Sequence, residues 1–212
     1  NSRRAFAAMK ANADLILATE TVQLVPHREE HAEKYNSWMA SEALLEATAS
    51  ERLSMEEELE MQKEWARDPK KCTFIIRDAV SSQMIGDCNF FFNDHDDDSA
   101  CEIECMIAES GFRRRGLAME AMEVFMAYGA VELGVTKFVA KIGFANVASN
   151  ALFQTKLGYL KRSASEIFEE TTYELAVRDA SGDVLSRFKS VWARVTRDSY
   201  DAFEARRAAT NA

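Results

Sequence analysis

The chain has 212 residues, 47% hydrophobic and 29% charged, and 35 acidic against 26 basic side chains give a formal net charge of −9. That length suits one globular domain with a sizeable core, and only 2 prolines and 8 glycines exclude a disordered or low-complexity chain. The acidic balance excludes nucleic acid as a main partner, since that needs a broad basic surface, but it leaves room for a local anion site.

The start, NSRRAFAAMKANAD, lacks the long apolar segment of a secretory signal. It is compatible with a clipped targeting segment or with an internal start at Met9, and residues 1–12 are set aside as a tail. TVQLV (21–25) reads as a strand stopped by Pro26. Residues 31–40, with Tyr35, Trp38 and Met39, read as a helix. So do residues 54–66, where Ser54 and Glu57 have capping-box spacing ahead of Leu59, Met61 and Trp65. The period then falls to two. CTFIIRD (72–78), MIGDCNFFFN (84–93) and CEIECMIA (101–108) predict an antiparallel meander. A long helix over 116–133, ended by Gly134, leads to a strand at 135–142 parallel to the third meander strand, through a right-handed crossover. A helix at 146–158, a strand at 168–177 and one added helix over 184–207 complete the chain. The order predicts an α/β fold, an α+β mixed sheet.

Cys72, Cys88, Cys101 and Cys105 form no CxxC pair and read as reduced, buried thiols of a cytoplasmic protein. No apolar run reaches the ~18 residues of a membrane span. His27-Arg28-Glu29-Glu30-His31 has the spacing of a zinc-protease string. Pro26 at its edge and the lack of an evident third ligand favour ordinary strand-to-helix capping, so no metal is expected. DHDDDSACEIEC begins like a calcium loop, but Ser99 stands where glycine is needed and Cys105 where the closing glutamate belongs.

The chemistry concentrates in GFRRRGLAMEA (111–121). A short loop from a strand into a helix offers free backbone N–H groups and the positive end of the helix dipole to a phosphate. Gly116 permits close approach, Ala118 keeps the first turn small, and the arginines add charge-assisted bonds. Arg113-Arg114-Arg115-Gly116-Leu117-Ala118 resembles the R/Q-x-x-G-x-G/A motif of GCN5-related N-acetyltransferases. EIECMIAES, LGVTKFVAKIG, FQTKLGY, IFEETTYELAV and the early LVPHREEHAEKYNSWMASEALLEATASE look like the N-acetyltransferase 9 family. The likeness covers about residues 12–177. It divides the chain into a tail (1–12), an acetyltransferase domain (13–178) and a C-terminal helical extension (179–212).

The resemblance implies a fold with splayed central strands and acetyl-CoA as cosubstrate. Arg113, Arg114, Arg115, Gly116, Leu117 and Ala118 would hold its pyrophosphate. Backbone groups of Met106, Ile107 and Ala108, with Asn146, Ser149 and Phe153, would line the pantetheine arm. It also implies a protein or peptide amine as acceptor, with links to tubulin and microtubules. A catalytically inactive microtubule-binding module and a small-molecule acetyltransferase are the alternatives. Glu102 and Glu104 share one strand face, opposite Ile103, Cys105 and Ile107, and are the candidate bases, with Glu102 ranked first because superfamily members often carry such a group there. Many members also carry a tyrosine acid on the later helix. This chain has Phe153 and Gln154 at the candidate positions and one extra residue, Thr155, which leaves that helix's register open.

Overall fold

The computed structural model describes residues 10–177 and 182–211. Most of the expected tail and the 178/179 boundary lie outside them. The strands are β1 (Leu15–Ala18), β2 (Val22–Pro26), β3 (Lys71–Asp78), β4 (Met84–Phe91), β5 (Ala100–Ile107), β6 (Lys137–Gly143), β7 (Leu160–Ser165), β8 (Glu170–Ala176) and β9 (Thr196–Ser199). Among the described residues they form one sheet in the order β7-β8-β6-β5-β4-β3-β2-β1-β9. Only β5 and β6 run parallel; every other neighbouring pair is antiparallel. The helices are α1 (Ala32–Trp38), α2 (Glu42–Ala47), α3 (Met55–Arg67), α4 (Leu117–Tyr128), α5 (Val147–Ala151), α6 (Asp183–Trp192) and α7 (Tyr200–Asn211).

The sheet has a core on each face. On one, α4 and α6 cover β2–β6, and Phe90 stacks on Phe125 with ring centroids 3.6 Å apart. The other is smaller and joins Tyr35 and Trp38 of α1 to Ile75, Met106 and Tyr200. Because β3 and β4 lie between two layers, both are buried almost end to end. The capping box of α3 forms as the sequence indicates: Ser54 Oγ accepts from the Glu57 N–H at 3.3 Å, and Glu57 Oε2 accepts from the Ser54 N–H at 2.8 Å.

The expected single C-terminal helix is instead α6, β9 and α7. The apolar face that began at Val184 ends at Val195, and the next four residues satisfy the open edge of β1, pairing Leu15–Ala18 with Ser199–Thr196. Trp192 is buried and its indole N–H donates to Glu132 Oε1 at 2.8 Å, so it is not available as a surface contact. Arg77 then ties this segment down, donating to Tyr200 Oη at 2.8 Å and to Glu204 Oε1 at 2.7 Å.

The extra residue in FQTKLGY is taken up by a π-helical turn, Leu152–Lys156, closed by Leu157 N–H donating to Leu152 O at 2.9 Å. An i to i+5 bond uses one residue more than an α turn. Gln154 and Thr155 are therefore pushed outward, while Phe153, Leu157 and Tyr159 stay in the core.

Candidate active site

The parallel pair β5–β6 is joined at three positions only, Ala100↔Lys137, Cys101↔Phe138 and Glu102↔Val139. Beyond them the two strands part, and each far end is held by something else. The N–H groups of Ala108 and Glu109 both donate to Ile85 O, at 2.8 and 3.2 Å, which turns the end of β5 toward β4. Gly86 is needed there, since a Cβ would fall 1.9 Å from Met106 O. On the other arm, Asn150 Nδ2 donates to Gly143 O at 2.9 Å, and Tyr173 Oη donates to Asn150 Oδ1 at 2.8 Å. The result is a V-shaped opening with unpaired strand edges on its inner sides.

The arginine loop follows the end of β5. Arg113 turns back on it: Nε donates to Ile107 O at 2.8 Å and Nη2 to Ala108 O at 3.0 Å. Its guanidinium therefore braces the loop rather than standing free for a phosphate. Ala108, expected to pair with a ligand, has its N–H and C=O both engaged within the protein. Arg114 and Gly116 have φ of +59° and +84°. Such turns direct successive N–H groups to one side and form anion-binding hollows. Among the described residues, no protein acceptor takes the N–H groups of Arg114 to Met119, and the α4 N-terminus has no side-chain cap. Leu117 is buried beneath the loop, while the Arg115 guanidinium lies 4.9 Å over the Phe112 ring. Six unsatisfied donors at the positive end of a helix fit a diphosphate.

Asn146 caps α5, its side chain accepting from the Ser149 N–H at 3.1 Å. Phe153, expected to line the pantetheine arm, is instead buried in the core against Tyr159, with centroids 5.0 Å apart. Tyr159 offers no acid to the cleft either, since its hydroxyl points at Met126 Sδ, 3.1 Å away in the core.

The two glutamates share a face of β5, as the alternation requires, but their surroundings differ. Glu102 is paired with Lys141 Nζ at 2.7 Å and lines a cavity of about 280 Å³ with Phe91, Lys137, Val139 and Glu174. Glu104 makes no such pair. Its side chain is exposed to solvent, although the surrounding protein still limits the hydration of the carboxyl. Burial, then the nearby Asp87 carboxyl, push its carboxyl up to about 7.

Sequence reading missed the polar groups behind Glu104. Across β3, β4 and β5, Thr73, Asn89 and Glu104 stand directly opposite one another. Thr73 Oγ1 donates to Asn89 Oδ1 at 2.7 Å, and Asn89 Nδ2 donates to Asp87 Oδ2 at 2.9 Å. Tyr35 Oη, from α1, donates to the same oxygen at 3.2 Å. The available signal was Asp87 and Asn89 at alternate positions inside an otherwise apolar strand.

Comparison with known proteins agrees with this geometry. A family model described as an acetyltransferase (GNAT) domain matches residues 21–159. An N-acetyltransferase 9-like protein of Nematostella vectensis is 46% identical over 173 residues, covering 77% of this chain and 87% of the relative. The human alpha/beta-tubulin-N-acetyltransferase 9 is 42% identical over 183 residues, covering 81% and 88%. The crystal structure of spermidine N-acetyltransferase from Vibrio cholerae, in complex with CoA and spermine, superposes with a TM-score of 0.67 over 74% of this chain and 96% of its own. At 15% identity that likeness concerns the fold alone. The chain belongs to the GNAT acetyltransferases, within the N-acetyltransferase 9 family, and is an acetyl-CoA-dependent N-acetyltransferase.

Proposed function

We propose that this enzyme acetylates a free amine of tubulin, with Glu104 as the group that receives the amine proton. The observation that carries the reading is the pairing of one unpartnered carboxylate, poised near neutrality, with a strand edge that has lost its neighbour. The tubulin acceptor is supported by the human relative, whose name states that activity, at 42% identity.

Bound acetyl-CoA supplies an activated acetyl group as a thioester. The free N–H groups of residues 114–119 would hold its pyrophosphate, with Arg114 and Arg115 adding charge. The unpaired edge of β5 between Ile103 and Ile107 would pair with the pantetheine arm. Arg113 keeps that edge in place by holding the carbonyls of Ile107 and Ala108. Glu104 then accepts the proton that the amine loses as its nitrogen forms the new amide, directly or through one water. Glu102, already committed to Lys141, keeps the cleft wall in register. No tyrosine acid is required, because an ordinary thiol pKa near 8.5 makes a thiolate a tolerable leaving group.

Cytoplasmic residence fits the four free cysteines, three of them fully buried. No helix among the described residues is long and apolar enough to cross a membrane.

The test uses purified enzyme, acetyl-CoA, and amino-terminal peptides of α- and β-tubulin with free or blocked α-amines. Release of CoA thiol and gain of one acetyl group on the free-amine peptides alone is the expected result. Tight acetyl-CoA binding with no acetylation of any amine would instead favour a binding module.

A further inference from the structure

A second cavity, of about 550 Å³, opens on the same side of the sheet, where β2, β3 and α3 meet. Its wall contains Lys71, which is 6% exposed. A buried ammonium is costly unless paired, yet among the described residues no carboxylate lies within ion-pairing distance of this one and no hydrogen bond to it forms; the carboxylates of Glu104, Asp87 and Asp68 act on it only from farther off. Its Nζ is clamped between two rings, 3.3 Å from the Trp65 centroid and 3.9 Å from that of Phe91. Arg28 and Arg67 also line the cavity, against Asp68 and Glu29. Of these, Arg28 is already paired with Asp14 and Asp201. Arg67 and Lys71 then balance Asp68 and Glu29, so what distinguishes the lining is the directly unpaired Lys71 ammonium and not an excess of positive charge.

The cavity stands in register with the cleft. Lys71, Phe91 and Glu102 face one another across three neighbouring strands, as do Thr73, Asn89 and Glu104. Phe91 borders the Glu102 cavity, and Lys71 and Thr73 border the second one. Neighbouring strands lie about 4.8 Å apart, so the two sites are roughly 10 Å apart; an extended chain advances about 3.4 Å per residue. An acceptor polypeptide with its amine at Glu104 reaches the second cavity after about three residues.

From this juxtaposition we infer that the Lys71 cavity is a specificity subsite of the acceptor groove, which receives an acidic side chain at the third or fourth residue of the acceptor polypeptide. The carboxylate takes the direct ion-pair contact that no side chain of the protein makes with the ammonium, while Trp65 and Phe91 hold the ammonium in place. The inference rests on the acetyl-transfer reading above.

The experiment measures acetylation by the intact enzyme of heptapeptides with free α-amines, in which Glu, Gln, Ala or Lys is walked through positions 2–6. A charge-assisted bond at a water-poor site corresponds to roughly a tenfold lower KM for Glu than for Ala at position 3 or 4. Lys should be the poorest residue there, and the other positions should show little preference. Lys71→Met should abolish the Glu-to-Ala ratio at that position, and Lys71→Arg should retain part of it. A flat profile in the unmodified enzyme, or a Glu preference that survives Lys71→Met, overturns the subsite. In those cases turnover of the Ala peptides leaves acetyl transfer standing, whereas no turnover on any peptide removes both.

Discussion

Glu104→Gln is the most direct perturbation of the chemistry. It keeps the size and hydrogen-bonding shape of the side chain and removes the ability to accept a proton. General-base catalysis contributes about 10²- to 10⁴-fold, equivalent to roughly 3–5 kcal/mol of barrier. A fall in kcat within that range is expected, with acetyl-CoA affinity unchanged. Glu102→Gln should cost only a few-fold, because it breaks an accessible ion pair with Lys141 of a kind worth about 0–1 kcal/mol. The pH profile gives a second readout. With its carboxyl pushed up to about 7, Glu104 is protonated and inactive as a base below that value, so activity rises through pH 7 and levels above it. That limb should stay in place when the acceptor amine's own pKa is altered, and it should vanish in Glu104→Gln. The same shift has a stability consequence. Between the ordinary 4.5 and about 7 the unfolded carboxyl ionises while the folded one does not, so the parent loses stability as pH rises through that window. Glu104→Gln lacks this loss and should therefore be relatively more stable at pH 8 than at pH 4. Stopped assays of CoA thiol release across pH 5.5–9, with chemical denaturation at the two ends, measure both effects. Near-normal turnover in Glu104→Gln, or collapse in Glu102→Gln instead, would refute the assignment.

Gly116→Val places a branched side chain at φ +84°, where no neighbouring atom lies within 4 Å of a Cβ, so the cost is conformational, roughly 1–2 kcal/mol or more. Calorimetric titration with CoA should show weaker binding as the loop relaxes, and unchanged affinity would argue against the loop as the phosphate site. Gly86→Ala puts a carbon where Met106 O leaves no room; the bend of β5 must shift, with a loss of about 2–4 kcal/mol in urea denaturation and reduced kcat. Tyr200→Phe removes the hydroxyl that accepts from Arg77 and donates to Glu30 Oε1 at 2.7 Å. A loss of about 1–3 kcal/mol is expected, visible in denaturation with kcat far less affected, since this hydroxyl bonds to Arg77 and Glu30 and to no residue of the cleft.

What the sequence determined by itself was whatever depends on near neighbours. The alternation in CTFIIRD and CEIECMIA, the Ser54–Glu57 box and the Gly116 turn each act within a few residues, so the meander, α3, α4 and the glycine turn that opens α4 were legible, as was the shared face of Glu102 and Glu104. Elements without a periodic apolar signal were not. β7 is an edge strand exposed along nearly its whole length, so LKRSAS shows no inward face. The four residues of β9 become a strand only because β1 presents an open edge. Which glutamate lacks a partner was decided by tertiary structure alone. Lys141 comes from β6, and its distance from β5 depends on where the two parallel strands stop pairing; Asp87 comes from β4, and its distance depends on the antiparallel register of β4 and β5. Charge interactions act through space and through local water content, and neither is written into the spacing of residues along a chain.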